Sequence, residues 1–197
     1  MTSTLLLADV HLGKAEVFRR LGVPVPRQTS NQTLRRLSDS IERWQPRQII
    51  VLGDLIHGRL PAGHDLFGDI AASRHQHREV AVFLLRGNHD IQAGELPPRC
   101  NIKIWPEQQR LLNIQLCHDP SQAGGQLMAV CGHWHPVVRL HSRHDSARLR
   151  CFWLSRSVLV LPAFGAFTGG QVIQPAPEDQ VFVLDGKSVH KLPGQLG

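Results

Sequence analysis

The chain of 197 residues contains no apolar run near the roughly 20 residues that a membrane-spanning helix requires, which argues against a transmembrane protein or a membrane partner. Its first residues show no positively charged segment followed by an apolar stretch and a small-residue cleavage site, so no secretory signal is visible. Cysteine is scarce, with four residues and no Cys-x-x-Cys pair, which argues against a thiolate zinc site or a disulfide framework. We therefore expect a cytoplasmic protein whose cysteines are buried thiols.

The overall composition is that of an ordinary globular protein, with 42% hydrophobic and 19% charged residues. Its length fits one domain, so we expect a single domain over residues 1–197. The 22 Lys and Arg residues outnumber the 16 Asp and Glu residues, and the net charge of +6 favours an anionic partner without identifying one. Lys14, Arg19 and Arg20 either contact a nucleic-acid backbone or form a solvated helix face.

Short apolar runs recur along the chain, and their length and flanking turn residues are typical of buried strands. Apolar residues at helical spacing predict one helix that begins near residues 29–31 and ends before Pro46, and a second from about Asp65 to His77. The alternation of strands and helices predicts an α/β fold, followed by a strand-rich second layer. The predicted strands are Thr4–Ala8, Gln48–Leu52, Val80–Leu85, Leu111–Cys117, Gln126–Cys131, Leu149–Leu154, Ser157–Leu161 and Gln180–Leu184.

Residue types that bind metals follow several of these predicted strands. Loops at strand ends are where α/β folds place ligands, because the rigid sheet fixes the loops while the loops supply the polar groups. In Asp9-Val10-His11 and His133-Trp134-His135, the two outer side chains would point to one side if the backbone stays extended. The predicted metal ligands are Asp9, His11, Asp54, Asn88, His118, His133 and His135.

The size of this ligand set predicts two metal ions. Four His, two Asp and one Asn exceed what one ion needs when water and substrate must also bind, but they fit two ions that share a carboxylate. Asp54 is the expected bridge. The first ion is assigned to Asp9, His11, Asp54 and His135, and the second to Asp54, Asn88, His118 and His133.

Two ions that share a carboxylate lie roughly 3.5–4 Å apart, and such a pair predicts hydrolysis of a phosphoester with metal-activated hydroxide as the nucleophile. His89 is surplus to the ligand count, so we expect it to donate a proton to the leaving oxygen or to stabilise its charge. Asp90 is expected to orient the His89 imidazole. His57 either supports a ligand or makes a local hydrogen bond within its loop.

The ordered motifs Asp-x-His, Gly-Asp, Gly-Asn-His-Asp, His and Gly-His-x-His resemble the calcineurin-like metallophosphoesterase superfamily over residues 9–135. The resemblance implies a four-layer α/β sandwich in which two mixed β-sheets are flanked by α-helices. It also implies two divalent ions, with Mn²⁺ as the expected metal and Fe or Zn²⁺ as alternatives. Asp54 is not followed by the Asp-Arg-Gly of serine/threonine protein phosphatases, which disfavours that activity.

A narrower resemblance covers residues 5–170. The stretches at 5–14, 18–26, 151–154 and 161–170 are similar to the DNA ligase-associated (PdeM-type) metallophosphoesterases. This resemblance implies a bacterial phosphodiesterase or nuclease that acts on DNA or RNA in repair, with an ATP-dependent DNA ligase, an exonuclease and a helicase as partners. Two alternatives stay open: hydrolysis of a small nucleotide, and a noncatalytic interaction scaffold. The complete ligand set and His89 argue against the scaffold.

Overall fold

In the computed structural model, which describes residues 3–25, 29–141 and 146–193, two β-sheets pack face to face and helices cover the first sheet. The helices are α1 (Lys14–Arg20), α2 (Thr29–Trp44), α3 (Asp65–Gln76) and α4 (Asn88–Ala93). Two short 3-10 turns occupy Pro98–Cys100 and Pro120–Gln122. Among the described residues, no helix combines the length and apolar character that a membrane span requires.

The first sheet contains four strands in the order β1-β2-β3-β4, and every described pair in it is parallel. Its strands are β1 (Thr4–Leu7), β2 (Gln48–Leu52), β3 (Ala81–Leu85) and β4 (Lys103–Trp105). Alternate residues of β2 are buried on opposite faces: Ile49 and Val51 lie among the helices, while Ile50 and Leu52 face the second sheet. Burial on both faces explains why these strands are continuous apolar runs.

The second sheet is mixed, with strands in the order β11-β8-β9-β10-β7-β6-β5 and with β12 paired to β9 and β13. The parallel pairs include β6 with β7, so these two strands end at the same edge of the sheet. The strands are β5 (Gln108–Leu111), β6 (Ile114–Cys117), β7 (Met128–Cys131), β8 (Pro136–His141), β9 (Ser146–Ser155), β10 (Val158–Val160), β11 (Gln171–Val172), β12 (Gln180–Leu184) and β13 (Val189–Lys191).

The predicted sandwich of two sheets with flanking helices is confirmed. Parallel and antiparallel pairs mix in the second sheet, whereas the described pairs of the first sheet are all parallel. On the outer face of the second sheet, the described part of the chain supplies the short turn Pro120–Gln122 rather than a long helix. All four cysteines are buried and free, as expected.

Both predicted helices are present, as α2 and α3, and the eight predicted strands have counterparts in the sheets. Ser30 lies in the first turn of α2, and its hydroxyl accepts a hydrogen bond from the backbone N–H of Gly13 and donates one to Glu16. Ser30 therefore ties α2 to α1. This contact fixes the segment that follows the first metal-binding motif.

Candidate metal centre

The predicted ligands lie together at one edge of the sandwich, where β1, β2, β3, β6 and β7 end. In one group, the ligand atoms of Asp9, His11, Asp54 and His135 all lie within 4.8 Å of one another. In a second group, the same holds for Asp54, His118 and His133. The Oδ1 atom of Asn88 lies 3.2 Å from Nε2 of His118, beside the second group. The structure thus brings the seven predicted ligands to one place, in two groups that share Asp54.

Asp54 belongs to both groups, and its carboxylate lies between them. Its Oδ2 atom is 3.6 Å from Nε2 of His11 and 3.6 Å from Nε2 of His118. Its Oδ1 atom accepts a hydrogen bond of 3.0 Å from the backbone N–H of His89. One carboxylate oxygen is therefore held by the backbone, while the other faces imidazole nitrogens on two sides.

The chemistry of these side chains fits a cation. Asp9 is 0% exposed and Asp54 is 2% exposed, and a buried carboxylate is costly unless positive charge compensates it. Within the described residues, no Lys or Arg forms an ion pair with either carboxylate. Burial lowers the pKa of His11 to about 2, with smaller contributions from His135 and Lys14. His11 is therefore neutral at physiological pH, and a neutral imidazole can bind a metal.

Two predicted ligand histidines, His118 and His133, have a neighbour beside the ring nitrogen that would not bind the metal. Nδ1 of His118 lies 2.9 Å from the carbonyl oxygen of Leu52 and donates to it, which leaves Nε2 free to bind a metal. Nδ1 of His133 lies 3.1 Å from Nε2 of His118, and its own Nε2 lies 3.8 Å from Oδ2 of Asp119. The hydrogen bond to Leu52 orients the His118 ring, as partners of metal-binding histidines commonly do.

His11 has an imidazole as its partner. Its Nδ1 lies 3.1 Å from Nδ1 of His57, and its Nε2 lies 3.1 Å from Nε2 of His135. For Nε2 of His11 to bind a metal, Nδ1 must carry the proton and donate it to His57. Burial lowers the pKa of His57 to about 4, with a further contribution from His89, so His57 is neutral and able to accept.

The backbone of the two short motifs is not extended. φ is +55° at Asp9, +49° at His11, +71° at His133 and +46° at His135. The condition under which the two outer side chains of each motif would point to one side is therefore not met. Hydrogen bonds to the loop after β2 hold the first motif in this conformation, from the N–H of Asp9 to the carbonyl oxygen of Gly53 and from the N–H of His11 to that of Asp54. Positive φ in residues other than glycine costs energy, and it is concentrated here at the metal-binding loops.

The family model for calcineurin-like phosphoesterases matches residues 2–148, well over half of the 197-residue chain. The chain belongs to the calcineurin-like phosphoesterase family. The predicted family and enzyme class are therefore confirmed, and the protein is a metal-dependent phosphoester hydrolase.

Two solved structures show the same fold as this calcineurin-like phosphoesterase. Pseudomonas putida nuclease MPE is 36% identical, with a TM-score of 0.83 over 96% of this chain and 87% of that chain. Yfce, a phosphoesterase from E. coli, is 16% identical, with a TM-score of 0.50 over 98% of this chain and 100% of that chain, and it supports the fold alone. A search of the curated proteins found no match.

The role predicted for Asp90 in this phosphoesterase needs correction. Its carboxylate accepts hydrogen bonds from the backbone N–H groups of Ile56, at 2.9 Å, and Gly87, at 3.0 Å. Nδ1 of His89 instead donates to the carbonyl oxygen of His57, at 2.8 Å. Asp90 therefore holds together the loops after β2 and β3, and the backbone of His57 orients the His89 ring. Asp90 lies too deep among backbone donors to serve as the partner of His89.

Sequence reasoning underestimated His57 and missed Asp119. The His57 ring stacks on His89, with ring centroids 4.4 Å apart, and its Nδ1 faces ligand His11. His11, His57 and His89 also form a third group of nitrogens within 4.8 Å of one another, although this group contains no carboxylate. A histidine three positions after Asp54 and an aspartate directly after His118 were the available signals.

Glycines give the ligands of this phosphoesterase room to approach one another. A Cβ atom on Gly53, where φ is +81°, would lie 2.1 Å from Nδ1 of His118. A Cβ atom on Gly87 would lie 2.2 Å from Oδ1 of Asp54 and 2.8 Å from Nε2 of His118. These distances are far below any van der Waals contact, so a larger residue at either position must displace a ligand.

We predict that Gly53→Ala displaces His118 and lowers both metal content and phosphodiesterase activity at least tenfold. Elemental analysis and hydrolysis of bis-p-nitrophenyl phosphate will measure these effects. Gly68→Ala is the matched control because Gly68 is exposed in α3 and a Cβ there meets nothing within 4 Å. The control should keep its activity and gain about 1 kcal/mol of stability from helix propensity. Full metal content in Gly53→Ala would contradict the argument.

Proposed function

We propose that this calcineurin-like phosphoesterase is a phosphodiesterase with two metal ions that acts on nucleic acid in DNA repair. The position of the Asp54 carboxylate carries the two-metal part of the proposal, because its Oδ2 atom is equally distant from His11 and His118. A carboxylate placed between two groups of imidazole nitrogens is the arrangement that a pair of ions shares. The first ion would be held by His11 and His135 with Asp9, and the second by His118, His133 and Asn88.

The donor atoms are imidazole nitrogens with carboxylate and amide oxygens, a set that suits Mn²⁺, Fe and Zn²⁺. We propose Mn²⁺, in line with the family resemblance. When bound, the two ions would supply positive charge to the phosphate oxygens and activate the attacking water. Proton transfer to the leaving oxygen must then come from a side chain of the protein.

His89 is the proposed general acid. Its Nδ1 proton is engaged by the carbonyl oxygen of His57, so Nε2 is the ring atom left to exchange a proton with the leaving oxygen. Its backbone N–H is fixed by Asp54, and its ring is held against those of His57 and His11. Two backbone hydrogen bonds and the neighbouring rings thus fix the orientation of the imidazole that would protonate the leaving oxygen.

Two observations support nucleic acid as the substrate. The structure that is 36% identical to this chain over most of its length is that of a nuclease. The net charge of +6 favours a polyanion. In line with the narrower family resemblance, we further propose a place in the cytoplasm beside an ATP-dependent DNA ligase, an exonuclease and a helicase.

The decisive experiment for this function is a metal-dependent substrate panel. Protein reconstituted with Mn²⁺, Fe or Zn²⁺ is offered bis-p-nitrophenyl phosphate, the corresponding monoester, labelled DNA and RNA, and cyclic nucleotides. We expect turnover of the diester above the monoester, and cleavage of DNA or RNA. Turnover of small nucleotides alone would place the substrate among them, and no turnover with any metal would favour the noncatalytic scaffold.

We predict that Asp54→Asn reduces the occupancy of both metal positions, because one carboxylate oxygen serves the two groups. Titration calorimetry with Mn²⁺ measures the number of ions bound, with Asp39→Asn, on the exposed face of α2, as the matched control. Loss of one ion with full retention of the other would show that Asp54 is a ligand of a single ion.

We predict that His89→Gln keeps its metal but loses turnover by roughly 10²–10⁴-fold, the usual contribution of a general acid. His75→Gln, exposed in α3, controls for the loss of an imidazole. Turnover and metal content measured on the same preparations separate the two effects. Wild-type activity in the His89 variant would remove the proposed role.

A further inference from the structure

A cleft of about 630 Å³ lies beside the outer edge of β1, and none of the predicted metal ligands lines it. Its volume falls within the roughly 300–1,000 Å³ that small-molecule and cofactor sites occupy. We name it the arginine cleft, after the positively charged side chains that line it together with apolar and aromatic ones. Its defining residues are Arg36, Arg148, Arg150, Lys187, Phe152 and Phe164.

The arginine cleft carries an excess of positive charge. No carboxylate of the described residues forms an ion pair with Arg36, Arg148 or Arg150. Asp185 is the one acidic residue among those that line the cleft, and its carboxylate is engaged by backbone N–H groups of its own turn and by His190. Burial, followed by repulsion from Arg150, lowers the pKa of Arg36. An anion bound in the cleft would relieve the repulsion between the two guanidinium groups.

The arginines are held in place before any ligand arrives. Arg150 donates hydrogen bonds to the carbonyl oxygens of Ala163, at 2.9 Å, and Gly165, at 2.8 Å, and to the hydroxyl of Thr168, at 2.9 Å. The Arg36 guanidinium lies over the Phe164 ring, 4.1 Å from its centroid, and donates to the carbonyl oxygen of Phe164. Guanidinium groups fixed in this way lose little entropy on binding a phosphate.

The loop of residues 161–170 connects the cleft to the metal centre. The backbone N–H of Phe164 donates to the carbonyl oxygen of Ala8, at 2.8 Å, and that of Gly165 donates to the carbonyl oxygen of Asp9, at 3.1 Å. The loop that Arg150 clamps is therefore bonded directly to the backbone of a predicted metal ligand. Residues 161–164 of the same loop line the cleft, so a strand bound there lies one loop away from the metal centre.

We propose that the arginine cleft binds backbone phosphates of a nucleic-acid strand next to the phosphate held at the metal centre. The proposal rests on the proposed function, since it names how the same substrate is held outside the reacting group. Both Nη2 protons of Arg150 are engaged by Gly165 and Thr168, so Arg150 acts through its charge. The exposed Arg148 and Lys187 side chains are the groups that contact phosphate, and such contacts position a nucleic acid without reading its sequence. The cleft thus confers a preference for polymers over short diesters.

The double variant Arg148→Gln with Lys187→Gln tests the proposal, because both side chains are exposed. The control is Arg47→Gln with Arg78→Gln, which removes the same charge just before the start of β2 and of β3, at the ends of these strands that face away from the metal centre. The readout is kcat/KM for a labelled single-stranded oligonucleotide divided by kcat/KM for bis-p-nitrophenyl phosphate. We expect this ratio to fall roughly tenfold or more at low salt, and the salt dependence to weaken by about 1.4 in log–log slope, since each phosphate contact on a single strand contributes about 0.7.

The outcomes separate this proposal from the one on which it rests. If the wild-type protein cleaves the oligonucleotide and the cleft variant keeps the ratio of the control, the arginine cleft is not a phosphate site, while the proposed function stands. If the wild-type protein hydrolyses the diester but cleaves no oligonucleotide, the nucleic-acid substrate is wrong. Binding of the labelled oligonucleotide in EDTA, measured by fluorescence polarisation, then decides about the cleft alone: wild-type binding that the cleft variant loses supports it, and equal binding by both overturns it.

Discussion

The buried carboxylate of Asp54 is the constraint around which the site is built. A carboxylate that is 2% exposed needs compensating positive charge, and the described residues place the imidazoles of His11 and His118, rather than a lysine or an arginine, within ion-pair distance of it. Oδ1 of Asp54 accepts a hydrogen bond from the N–H of His89. Gly87 and Gly53 have no side chain, which leaves room for His118 to approach Oδ2. The loops that contain these glycines can lie this close only because a Cβ on either residue, which would clash, is missing.

Much of the fold was predictable because its strands are buried on both faces. A strand such as β2 has no solvent face, so it is a plain apolar run, and the polar residue that ends it marks the sheet edge where ligands gather. The short strands were harder to predict. β11 contains two residues and β13 three, all of them exposed, so their conformation comes from pairing with β8 and β12 rather than from any apolar pattern of their own.

The seven predicted ligands could be picked out from the sequence because their residue types and their positions after apolar runs are visible in the sequence itself. Their backbone conformation could not, since left-handed φ at Asp9 and His11 is imposed by hydrogen bonds to the loop after β2, which is more than forty residues away along the chain. The same reason explains the error at Asp90. Adjacency to His89 in sequence favoured a contact between the two side chains, but α4 begins at Asn88 and turns the Asp90 carboxylate back toward the N–H groups of Gly87 and Ile56.

The loop of residues 161–170 shows how distant parts of the chain support the site. Its backbone bonds to Ala8 and Asp9 on one side, and the N–H of Ala166 donates to the Thr33 hydroxyl on α2. The backbone of Asp9 is thus held by the segment that connects β10 to β11 of the second sheet, while its carboxylate accepts a hydrogen bond from the N–H of His133. Because both sheets contribute bonds to this one residue, any shift of one sheet against the other would move Asp9 relative to Asp54. The packing of the two sheets therefore keeps the two carboxylates at a fixed separation. Residues 161–164 of the same loop line the arginine cleft, so the cleft is fixed relative to Asp9 as well.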